Sequence, residues 1–68
     1  MRQELLSAAL LHFQALASES RVNLNIYLNN SSGVAEHPQI VGEVVSLVKK
    51  ITEAEECVAV VTKLLDGK

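Results

Sequence analysis

The sequence predicts an all-α protein: a two-helix antiparallel hairpin that assembles into a homo-oligomeric helical bundle, with a dimeric four-helix bundle as the leading form. Three observations carry this expectation. Apolar residues recur alternately four and three apart along two long segments, the spacing of helices packed along their length. One polar stretch rich in turn residues, "NNSSGVAEHP" (29–38), divides the two segments. The segments also carry more apolar residues than a single hairpin can bury. The chain therefore reads as one domain over residues 1–68, with a helix over about 2–29, a loop over about 30–37 and a helix over about 38–66.

In the first segment Leu6, Leu10, Phe13, Ala17, Ser20, Leu24 and Tyr27 form the stripe, and Leu5, Ala9 and Leu16 widen it. The run Ala8-Ala9-Leu10-Leu11 adds strong intrinsic helix preference. A rival signal comes from "VNLNIYL" (22–28), where apolar residues alternate with a period of two, as in a strand. A second β-branched stretch, "CVAVVT" (57–62), offers a partner for it. Helix is nevertheless expected in both places. The four-three stripes run through each without a break, no turn residue separates either from the helical run before it, and an isolated pair of strands is marginal in water.

The dividing stretch is mostly punctuation. Asn29 and Asn30 tolerate the left-handed conformation that ends helices. Ser31, Ser32 and Gly33 are turn formers, and Pro38 suits the first turn of a helix. Val34 is the apolar exception and is expected to tuck under the hairpin end.

The second segment has the clearest periodicity: Ile40, Val44, Leu47, Ile51, Ala54, Val58, Val61 and Leu65. A further set beside it, Val41, Val45 and Val48 and then Cys57, Val60 and Leu64, widens the apolar face. Glu43, Lys49, Lys50, Glu53 and Glu56 fall on the polar side. Left in water, those extra valines and leucines forfeit several kcal/mol at about 25 cal/mol per Å², which rivals the whole stability of so small a domain. Self-association is the expected remedy, with Leu5, Leu16, Val41, Val45, Val48, Val60 and Leu64 at the contact.

Composition narrows the function classes. With 68 residues and one cysteine, the chain has no internal disulfide to reinforce a small core. Hydrophobic residues make up 49% of it, which is too many for a disordered chain, and only Phe13 and Tyr27 are aromatic. Six basic residues against eight acidic ones, with Lys49-Lys50 the only adjacent basic pair, argue against nucleic acid as a partner. No run approaches the roughly 20 apolar residues of a membrane span. Glu4, His12 and Gln14 also spoil the leading apolar run as a signal peptide. The expected setting is soluble and cytoplasmic, which suits an unpaired cysteine.

The run "NLNIYLNNSSGVAEHP", with "ELLSAAL" ahead of it, resembles small proteins of marine contractile-tailed bacteriophages, cyanophage-like, to which no function is assigned. The matching positions are Glu4, Leu5, Leu6, Ala8, Ala9, Asn23, Leu28, Asn30, Gly33, Val34, Glu36 and His37. Ser31-Ser32 replace a Pro-Val of that pattern, and Ala35 replaces a glycine. The resemblance spans roughly residues 4–41. It implies a phage source, hence the cytoplasm of an infected bacterium, and a role for Gly33, Glu36 and His37 of the loop, which also holds Val34; the wide apolar faces add the expectation of a viral or host protein as a further partner. The resemblance implies no activity.

Candidate chemistry is sparse. Glu36 and His37 are the only side chains placed as a metal or acid–base pair, and a catalytic zinc needs three protein ligands. His12, the other histidine, lies roughly 25 Å away along a hairpin that rises about 1.5 Å per residue. The simpler reading has His37 capping the second helix and Glu36 favouring its positive end. Cys57, among valines, reads as a core filler rather than a nucleophile. The chain has no phosphate-cradling glycine loop and no serine–histidine–acid set. The expectation is a non-catalytic interaction or structural protein without cofactor. The alternative is a metal- or small-molecule-binding oligomer whose site is built from Glu36 and His37 of several subunits.

Overall fold

The structure, a computed structural model, describes residues 1–29 and 39–67, and these form two helices, α1 (Arg2–Asn29) and α2 (Ile40–Leu65), with no strand among the described residues. The Glu36–His37 pair, Gly33, Val34 and the Pro38 helix start all lie outside the described residues. The β-like alternation of residues 22–28 is overruled: Val22 to Leu28 are helical, as are Cys57 to Thr62. Packing of the stripe outweighs the local preference of β-branched residues, because Leu24 and Tyr27 continue the contact that Ala17 and Ser20 begin.

The two helices lie against each other along their length, and each stripe is the contact. Every stripe residue of α1 and α2 is at least half-buried, and those fully enclosed are Ser20, Leu47, Ala54 and Val61. The most enclosed are the smallest, Ala54 at 1% and Ser20 at 3% exposure. Small side chains at mid-helix leave little surface, which larger neighbours on either side cover.

α2 starts at Ile40 with Gln39 as its N-cap, which makes no side-chain cap bond. At the other end the Gly67 N–H donates to the Leu64 carbonyl at 3.1 Å, and Gly67 takes φ 76°, a left-handed conformation that suits glycine. Asn29 closes α1 by donating from Nδ2 to the Asn25 carbonyl, which satisfies one of its last acceptors.

Gly42 stands on the open side of α2, where an added Cβ meets nothing within 4 Å. It weakens the helix without a steric reason. Gly42→Ala should therefore raise stability by about 0.5–1 kcal/mol, read as a higher midpoint in urea.

The resulting shape is a rod. Its extents are 48 × 14 × 14 Å and its radius of gyration is 15.4 Å, against about 11 Å for a compact chain of this length.

Candidate interaction surface

The remaining apolar side chains sort themselves by helical geometry. At about 100° per residue, Val41, Val45 and Val48 lie roughly 110° round α2 from its buried stripe. Cys57, Val60 and Leu64 lie roughly as far round in the opposite sense. They are not one stripe but two. The expected single wide face is corrected to that extent: the apolar surplus changes sides halfway along the helix.

An ion pair fixes which sides of α1 and α2 go together. Arg21 Nη2 donates to Glu55 Oε2 across the hairpin, with both side chains about half exposed. Each is the residue just after the small, buried member of its stripe, Ser20 or Ala54. Residues in that position therefore share one side of the hairpin. On this side, towards the loop end, stand Leu28, Val41, Val45 and Val48, all exposed. The opposite side carries Leu5, Ala9 and Leu16 from α1 with Cys57, Val60 and Leu64 from α2, and these cluster in the half that holds the chain termini. The terminal patch and the loop patch are thus diagonal to each other.

The hairpin covers these residues only in part. Val60 is 56% exposed and Val48 is 47% exposed, while Ala9, Leu16 and Cys57 are half-buried at the border of the core. A depression of about 440 Å³ in the terminal patch is lined by Phe13, Glu53, Glu56, Cys57, Val60 and Val61. Beside it, His12 meets Phe13 edge to face, with ring centroids 5.1 Å apart. On the other side, a shallow groove of about 600 Å³ runs over the Arg21–Glu55 pair between Gln14, Ser18, Asn25 and Val58. Exposed Leu11 and Val22 stand apart from both patches, and exposed Ile26 lies on the side of the terminal patch but towards the loop end.

The Arg21–Glu55 pair was not foreseen, although its signal was present: opposite charges one residue past the stripe on two antiparallel helices. Exposed pairs are worth about 0–1 kcal/mol. Arg21→Ala should accordingly shift the thermal midpoint only slightly, with helicity retained.

No group of three or more His, Cys, Asp or Glu side chains able to hold a metal ion occurs among the described residues. No described helix is long and apolar enough to cross a membrane. The chain is thus a two-helix hairpin with unpartnered apolar surface. Compared with protein-family models, curated proteins and solved structures, it matches none.

Proposed function

We propose that this protein is a non-catalytic, homo-oligomeric interaction or structural protein whose folded unit is completed by a second copy of the chain. One observation supports the reading most: the hairpin exposes too much surface for its mass. Its accessible area is 5113 Å², about 900 Å² more than the roughly 4,200 Å² of a compact monomer of 7.4 kDa. One partner of a standard stable interface contributes about 800 Å². The surplus is thus about one interface, and exposed leucines and valines supply its apolar part.

The resemblance to phage proteins adds a setting to this reading, the cytoplasm of an infected bacterium, with a viral or host protein as the further partner. Light scattering should give the mass of a dimer or a larger even assembly, and the melting temperature should rise with protein concentration. A monomeric mass with a midpoint independent of concentration would overturn the proposal.

A further inference from the structure

Building on that reading, we infer that the second copy docks on the terminal patch alone, antiparallel and staggered, so that the two loop ends point in opposite directions. The distribution of polarity favours this geometry over a bundle with full overlap. The side that carries Leu5, Ala9, Leu16, Cys57, Val60 and Leu64 becomes mostly polar towards the loop end, where it presents Glu19, Asn23, Glu43, Ser46 and Lys50, with Ile26 the one exposed apolar residue among them. Overlap along the whole hairpin desolvates those charges and amides, whereas a half-length overlap leaves them in water.

Charge placement supports the antiparallel sense. A two-fold axis crossing α2 between Cys57 and Val60 sets Cys57 of one copy opposite Val60 of the other. The same operation sets Leu64 opposite Glu53 at the edge of the contact. On the flank of this contact it brings Glu56 of each copy beside Lys63 of the other, and symmetry makes the pair twice. Neither Glu56 nor Lys63 takes part in an ion pair among the described residues of the hairpin. On α1 the axis passes between Ala9 and His12, so Leu5 and Leu16 of different copies meet. The two crossing points lie in the same half of the rod, since Phe13, next to His12, shares its depression with Cys57 and Val60. The flank of α1 there is Ala8 and Ala15, and at its outer ends Glu4, paired with the amino group of Met1, comes nearest Glu19 of the other copy.

A charge-swap series on the full chain tests the geometry, with the dimer dissociation constant read by sedimentation equilibrium. Glu56→Lys and Lys63→Glu should each weaken the dimer by about ten-fold, since each turns two attractive pairs into repulsive ones. The double variant should recover to within about three-fold of the wild type, because the pairs re-form with signs exchanged. Circular dichroism at high concentration should show the same helicity for all four proteins. If the wild type dimerises but the single changes have no effect, or the double is weaker than either single, the staggered geometry is wrong and the self-association reading stands. If the wild type is a monomer at every concentration, the reading itself fails.

Discussion

Replacing Ala54 with glutamate should abolish folding. Ala54 is 1% exposed at the middle of α2, within the stripe that faces α1, where the small Ser20 is almost as enclosed. A glutamate there has no room and no access to water. Removing an unpaired charge from water costs several kcal/mol even after its pKa adjusts. A hairpin of this size has little more than that in total. The expected result is a far-ultraviolet spectrum without helix at micromolar concentration. Ala59→Glu, on the exposed side of α2, serves as the control and should change stability by no more than about 0.5 kcal/mol. Ala54→Leu separates charge from volume: overpacking alone should cost about 1–3 kcal/mol and lower the midpoint without eliminating the fold. A glutamate variant that stays helical and melts like the wild type would mean that the helices do not meet at Ala54.

The hairpin itself was legible because its two stripes obey one rule. From Leu6 to Tyr27 and from Ile40 to Leu65, each residue assigned by four-three spacing is buried or half-buried in the structure. Even "VNLNIYL" could be read as helix, since the longer period persists through a short stretch that also fits the shorter one. The apolar surplus was harder to interpret. A list of extra valines and leucines says that something must cover them. Where they stand depends on the phase of each helix and on which flanks meet. The step from Val48 to Cys57 is nine residues, or about 180° beyond two full turns, and so carries the surplus across the helix. Arg21 and Glu55 then show which flank of α1 meets which flank of α2. That pairing belongs to tertiary structure, and no window of sequence contains both residues. The burial of Ser20 and Ala54 was hidden for a similar reason, because a small residue in a stripe looks like a weakness until its partner helix covers it.

Val60→Glu should dissociate the assembly, while Val48→Glu should leave it associated. Both residues are valines of their apolar patches, similarly exposed in the isolated hairpin at 56% and 47%. Intrinsic helix preference and loss of side-chain burial within the hairpin therefore nearly cancel between them. What differs is the side of α2. At position 60 the carboxylate enters the contact beside Cys57, where desolvation is uncompensated and Glu53 and Glu56 already concentrate negative charge. The dissociation constant should rise by more than about a hundred-fold, equivalent to roughly 3 kcal/mol. At position 48 the carboxylate remains in water beside Lys49, so the dimer constant should stay within about three-fold. Equilibrium sedimentation of the two variants reads the contrast directly. The thermal midpoint should follow it, falling for Val60→Glu and losing its dependence on concentration as the folded state forfeits its partner. The reverse ranking, with Val48→Glu dissociating and Val60→Glu associated, would place the contact on the loop patch. Equal dissociation by both would require each copy to use both patches, as in a chain of hairpins joined head to tail.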